Sequence, residues 1–263
     1  MNCGILTVSF GTTHLDTLSK TIQAVEQDLA AAFPGCSCRR AFTSGIVRSR
    51  LKSKYGMEVD GVEEALERMR ADGVQRVVVQ PTLLIPGEEY DRMRAQVLCS
   101  AGGMRAAMGA PLLWDDADLL ELMQVLTQAY PVPEDTVLLA MGHGTSHEAN
   151  SLYVRLEQLM EEQGGPLGVC TVEGTPDFAQ AVERLRARGV RKVHLVPLLL
   201  VAGDHSKNDM AGDGPDSLRS MLEGEGFAVS WTLQGLGELP AVREQYVRRA
   251  RAALERLERA MGE

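Results

Sequence analysis

The sequence predicts an α/β protein made of two similar parallel-sheet domains, and three observations support this. Apolar runs capped by Gly or Pro alternate with stretches of helical period, the pattern of a parallel sheet covered on both faces by helices. The two halves of the chain repeat each other in order. Between them stands YPVPED, residues 130–135, whose two prolines separate a helical stretch from a new strand. The expected domains are therefore residues 1–130 and 131–263. Open parallel sheets bind ligands outside the carboxyl ends of their strands, so a cleft between two such domains is where the chemistry is expected.

Taken in order, the first strand is expected at 3–9, in MNCGILTVSFGTTH, whose apolar stretch is short and lacks a basic leader; it reads as a strand and not as a signal peptide. Leu18, Ile22, Val25 and Leu29 follow at helix spacing, with Asp16 near the helix start. The next strands are expected at 39–43, 75–85 and 105–109 in the first half, and at 136–141, 168–173, 191–201 and 227–232 in the second. The segment 239–260 opens with Pro240 and carries Val242, Tyr246, Ala250, Ala253 and Leu257 on one stripe, which predicts a long closing helix.

The repeat is specific. ILTVSFGTTH pairs with LLAMGHGTSH, aligning Gly11 with Gly144, Thr12 with Thr145 and His14 with His147. GVQRVVVQPTLLIPGEEYDRM pairs with GVRKVHLVPLLLVAGDHSKND, aligning Pro81 with Pro197 and Gly87 with Gly203. More loosely, Gly45 pairs with Gly174.

Composition excludes several function classes. The chain has 263 residues, 44% of them hydrophobic, enough to bury a core, and a formal net charge of −9 that argues against nucleic-acid binding. Aromatic residues, 5% of the chain, are too few and scattered for a base-stacking platform. No run approaches the roughly 18 apolar residues that a membrane span needs, so a cytoplasmic protein is expected. The five cysteines are odd in number and dispersed, as suits free thiols. Cys36 and Cys38 form a C-x-C without companions and read as a loop before the second strand rather than as a soft-metal site.

Chemistry concentrates at three strand ends of the second half. His143 follows TVLLAM, Glu173 ends GVCTV, and His205 follows KVHLVPLLLV, so all three fall on one rim. Two imidazoles and a carboxylate suit a divalent first-row metal, and imidazole also takes up a proton near neutral pH. Taken singly, each has a plain structural role: a helix cap, a solvated loop acid, a helix start. Their joint placement favours a site. The first-half counterparts are Phe10, roughly Ser44, and Glu89, so only the second half can ligate a metal this way. The first half offers instead the carboxylates Glu88 and Glu89, either of which could accept protons, and an aromatic face from Phe10 suited to a flat ligand.

Other candidates are weaker. Gly142-His143-Gly144 departs from a dinucleotide fingerprint by placing His147 where the third glycine should stand. His194 lies within a strand and reads as structural, as do His14 and His147 at equivalent helix starts. Arg48, Arg50, Lys52 and Lys54 read as a solvated face.

The segments SFGTTHLDT, RAFTSGIVR, IPGEEYDRM, MGHGTSHEA, VEGTPD and LVAGDHSKNDMA, in this order, give a chain that resembles the class II tetrapyrrole chelatases, and most closely the anaerobic CbiK-type sirohydrochlorin cobaltochelatases. The resemblance implies two Rossmann-like halves with the macrocycle in the cleft and no cofactor beyond the substrate metal, Co2+ with Fe2+ as the alternative. It implies metal ligation by His143, Glu173 and His205, with Glu89 assisting proton handling, so that His143, His205 and Glu89 form the catalytic set. The partners implied are sirohydrochlorin and a divalent metal, without nucleic acid or membrane, in a homo-oligomer. A sirohydrochlorin ferrochelatase making sirohaem, or a carrier that binds tetrapyrrole or metal without turnover, are the competing expectations.

Overall fold

A computed structural model describes residues 2–262. The chain divides into two compact units: one runs through Leu113 and takes back the segment from Pro240 on, and the other is Trp114–Leu239. This differs from the expected division at 130/131 at both ends of the second unit.

In the first unit, strands β1 (Cys3–Ser9), β2 (Cys36–Phe42), β3 (Arg76–Pro81) and β4 (Arg105–Met108) form a parallel sheet in the order β2-β1-β3-β4. Every residue of β1 is buried. A central parallel strand is covered on both faces, so CGILTVS is a continuous run without polar alternation. The connecting helices are α1 (Leu15–Lys20), α2 (Ile22–Ala32), α3 (Gly45–Tyr55), α4 (Val62–Ala71) and α5 (Glu88–Ser100). One sheet face packs Leu6, Val8, Val77 and Val79 against Leu66 and Met69 of α4 and Met93 and Val97 of α5.

The second unit repeats the plan. Helix α6 (Asp116–Ala129) precedes β5 (Thr136–Gly142), α7 (Ser151–Gln163), β6 (Leu167–Thr171), α8 (Phe178–Ala187), β7 (Lys192–Pro197), α9 (Leu218–Gly224) and β8 (Ala228–Trp231). The sheet order β6-β5-β7-β8 is parallel throughout and matches the first unit position for position. All eight expected strands are present. Helix α10 (Pro240–Gly262) then packs on β3, β4 and α2 of the first unit. Its stripe Val242, Tyr246, Ala250 and Ala253 is fully buried, the Tyr246 hydroxyl donates to the Thr82 carbonyl (3.1 Å), and Arg243 pairs with Asp28 (2.6 Å). The stripe was legible in the sequence. Which sheet it would cover was not, because an amphipathic helix carries no address for its partner.

Three boundaries differ from expectation. The apolar runs after β3 and β7 outlast the strands, which end at Pro81 and Pro197. Beyond them the Leu83 and Leu84 carbonyls accept from Leu112 and Leu113, and those of Leu199 and Leu200 accept from Leu236 and Gly237. The leucines are therefore apolar because they are packed in twin loops, not because they extend the sheet. Strand β2 begins at Cys36, earlier than expected, and takes in the C-x-C segment. Cys3 and Cys36, register partners on β1 and β2, form a disulfide, which corrects the expectation of five free thiols; Cys38, Cys99 and Cys170 are free. Their pairing follows from strand register, which spacing of 33 residues does not reveal.

The free edge of β6 is closed by side chains. The Val169 N–H donates to Glu157 Oε2 (2.7 Å), the Val169 carbonyl accepts from Arg184 (3.2 Å), and the Leu167 and Gly165 carbonyls accept from Arg188 (3.1 and 2.8 Å). Arg184 and Glu157 also pair at 2.7 Å. Such closure satisfies backbone groups that would otherwise template another strand.

Candidate metal centre

The rim of the second unit is assembled by glycine. After β5 the chain turns at Gly144, in the left-handed region at φ +78°, where a Cβ would stand 2.5 Å from the Gly174 nitrogen and 2.8 Å from the Thr171 Cβ. At Gly174 a Cβ would meet Asn150 Oδ1 at 2.2 Å. Neither turn tolerates a side chain, so the loops after β5 and β6 close backbone to backbone. The Val172 N–H donates to the Gly142 carbonyl (3.1 Å) and the Glu173 N–H to the His143 carbonyl (2.7 Å). Asn150 clamps the join, accepting from the Thr145 N–H (3.2 Å) and donating to the Thr175 carbonyl (2.8 Å). Here the glycines of Gly142-His143-Gly144 serve loop packing. Beneath lies Tyr153, fully enclosed; burial pushes its phenol up to about 12, against the opposing effect of the Gly144 and His143 backbone hydrogen bonds.

His205 arrives from the third strand end. It precedes a π-helical turn, Ser206–Met210, closed by the Ala211 N–H donating to the Ser206 carbonyl (3.2 Å). The His143 and His205 rings meet edge to face with centroids 4.7 Å apart. His143 Nδ1 lies 2.9 Å from the Gly144 carbonyl and 3.9 Å from Glu173 Oε2. His205 Nδ1 lies 2.8 Å from Asp209 Oδ2. In each imidazole, therefore, an acceptor faces Nδ1, which leaves Nε2 as the nitrogen free to bind. The side chains of His143, Glu173 and His205 are 44%, 62% and 41% exposed, so an ion can reach all three.

The structure thus brings the three expected ligands to one rim of one unit. Among the described residues, no three His, Cys, Asp or Glu side chains converge into a finished coordination set. Ligands of one ion at about 2.1 Å stand roughly 3–3.5 Å apart. The 3.9 Å from Glu173 Oε2 is to the Nδ1 of His143 and not to its free Nε2, and Glu173 is the most exposed of the set.

Glu89, the fourth expected residue, belongs to the first unit, in the first turn of α5. Its Oε1 accepts from Arg92 (2.8 Å), while Oε2 is shut off from solvent without a hydrogen-bond partner. A buried carboxylate oxygen without a hydrogen-bond partner is costly to leave and calls for an explanation. Its neighbour Glu88 shares the turn. Phe10, immediately after β1, is half exposed, as a surface for a flat ligand requires.

The weaker candidates resolve structurally. His194 is held by Ser230 (2.8 Å) and Thr232 (3.0 Å) across β7 and β8. His147 Nδ1 accepts from the Ala149 N–H (3.1 Å), and its own N–H binds the Thr145 hydroxyl (3.1 Å) as that of His14 binds Thr12 (3.2 Å). On α3, Arg48 pairs with Glu64 and Lys52 with Glu58, while Lys54 lies over Tyr55. Sequence reading missed Asp209, although His-x-x-x-Asp at a helix start is a legible signal for a partnered imidazole.

Comparison with known proteins identifies the family. The profile of a family described as Cobalt chelatase (CbiK) matches residues 3–255. The chain is 40% identical over 256 residues to the sirohydrochlorin cobaltochelatase of Salmonella typhimurium, covering 97% of each. It is 34% identical over 241 residues to sirohydrochlorin cobaltochelatase CbiKC of Nitratidesulfovibrio vulgaris, covering 89% of this chain and 84% of that one. In fold it is similar to SirB from Bacillus subtilis with Fe3+, with a TM-score of 0.66, 16% identity and 96% of each chain covered.

Proposed function

This chain belongs to the cobalt chelatase (CbiK) family, and from that premise we propose that it inserts Co2+ into sirohydrochlorin, releasing two protons, in anaerobic cobalamin synthesis. The observation that carries the reading is the edge-to-face pair His143 and His205 with Glu173 beside it, on three successive strand-end loops.

The chemical obstacle is that pyrrole N–H groups are very weak acids until a metal engages the ring. In this reading His143, Glu173 and His205 hold the incoming Co2+ at one face, with coordination positions left open. Two imidazoles and one carboxylate bind firmly enough to dehydrate the ion, yet leave it exchangeable. Bending the macrocycle, at about 1–5 kcal/mol of strain, turns a nitrogen lone pair toward the metal. As metal–nitrogen bonds form and the protein ligands let go, the N–H protons become acidic; the vacated Nε2 of His143 takes up one, and His205 or the unpaired oxygen of Glu89 takes the other. Protein ligands are exchanged for ring nitrogens. We further propose a cytoplasmic enzyme that works as a homo-oligomer; no helix among the described residues is long and apolar enough to cross a membrane.

A steady-state assay with purified protein, sirohydrochlorin and either Co2+ or Fe2+ tests this through the visible spectrum of the macrocycle. Several turnovers per chain with Co2+ are expected. A single stoichiometric binding event without metallated product would replace the enzyme with a carrier, and faster insertion of Fe2+ would make sirohaem the product.

A further inference from the structure

We propose that Asp209 is a positioning residue for His205, and that the π-helical turn carrying it is a one-residue insertion that the second half of the chain uses to bring a carboxylate behind the metal-facing imidazole. The inference rests on the reading of His205 as a ligand.

The internal repeat exposes the insertion. Gly87 corresponds to Gly203, Glu89 to His205 and Tyr90 to Ser206, a constant offset. The next inward-facing residue of the first half is Met93, fully buried among the β1, β3 and α4 side chains. In the corresponding stretch of the second half the fully buried methionine is Met210. Two residues separate Tyr90 from Met93 and three separate Ser206 from Met210. The first unit spans this stretch with the regular helix α5, the second with the π-helical turn Ser206–Met210. A π turn absorbs one extra residue without moving the core contact that follows. By simple count Asp209 corresponds to Met93, a core position; the wider turn lets Met210 take that position and leaves Asp209 partly exposed, 2.8 Å from His205 Nδ1.

The consequence is chemical. A carboxylate accepting from Nδ1–H fixes the tautomer, aims Nε2 away from the turn and makes the ring a stronger donor. Glu89, at the twin position, has no such backing: its partner is the cation Arg92, three residues on. One scaffold therefore presents a base with a cation behind it in the first half and a ligand with an anion behind it in the second.

The test uses the full-length protein and Co2+ alone, read by its visible absorption, together with steady-state insertion kinetics. In the metal-free protein, nitrogen NMR should find the His205 ring proton on Nδ1. Asp209→Ala should move it toward Nε2, weaken Co2+ binding about 10–100-fold, and raise the KM for Co2+ more than that for sirohydrochlorin. Asp209→Asn, which keeps an acceptor oxygen without the charge, should recover part of the loss. A wild-type ring protonated on Nε2, or wild-type Co2+ affinity in Asp209→Ala, overturns the proposal. His205→Ala separates the two layers: if it loses Co2+ binding while Asp209→Ala does not, only the positioning role fails. If His205→Ala itself binds Co2+ as the wild type does, the metal-site reading fails and this inference with it.

Discussion

Removing the imidazole of His143 or His205 should leave the fold intact, since both side chains are substantially exposed and neither belongs to a core cluster. His143→Ala and His205→Ala should each retain the wild-type unfolding transition yet lose cobalt insertion by about 10²-fold or more, the scale of a general acid–base contribution. Wild-type rates in either variant would remove that residue from the mechanism. Glu89 makes a different prediction because its free oxygen faces no partner. Glu89→Gln should lower kcat with little change in Co2+ affinity, as befits a group that moves protons without holding the ion. His194 is a contrasting case among the histidines: burial lowers its pKa below the ordinary 6.5, so its neutral form is favoured in the folded state. The sign follows directly. Its contribution to stability is present above the usual histidine value and is lost as pH falls through the depressed folded value. Ring titration by NMR should show His194 protonating below an exposed histidine, and His194→Gln should flatten the acid side of the stability curve.

Loops and edges carry the element-scale predictions. Gly144 sits in the left-handed region, and a Cβ there would stand 2.5 Å from the Gly174 nitrogen. Gly144→Ala should cost about 1–3 kcal/mol of strain and separate His143 from Glu173, weakening metal binding along with thermal stability. At the β6 edge, Glu157→Ala strands the Val169 N–H and removes the ion pair that holds Arg184 against the strand. Unpaired buried groups of this kind cost about 1–3 kcal/mol, so a lower melting temperature and concentration-dependent association through the opened edge are expected. Light scattering across a dilution series would reveal it. The twin loops after Pro81 and Pro197 explain why the apolar runs were too long for their strands: leucine is dictated by burial, and burial does not distinguish a strand from a packed loop.

For the molecule as a whole, chain connectivity decides what can stand alone. The second unit, Trp114–Leu239, is one uninterrupted segment with its own core and all three expected ligands. Expressed alone, 114–239 should unfold cooperatively, whereas 1–113 lacks α10 and exposes the sheet face that Val242, Tyr246 and Ala250 cover. The fragment 131–263, drawn at the sequence-expected boundary, lacks α6 and carries an α10 without its sheet, and should aggregate. Circular dichroism melts of the three fragments discriminate between the two divisions. Read alone, the sequence determined the α/β class, the eight parallel strands, the internal repeat, the stripe on α10, and the three strand ends where His143, Glu173 and His205 are delivered. These follow from local periodicity, turn chemistry and the direction of parallel strands, all of which are written in short windows. Tertiary structure alone decided which sheet α10 covers, the Cys3–Cys36 pairing, the closing of β6 by Glu157 and Arg184, and the contact of Asp209 with His205. Each depends on which surfaces meet or on one added residue in a helical turn, and a pattern that repeats along a chain does not encode the partner it will find across space.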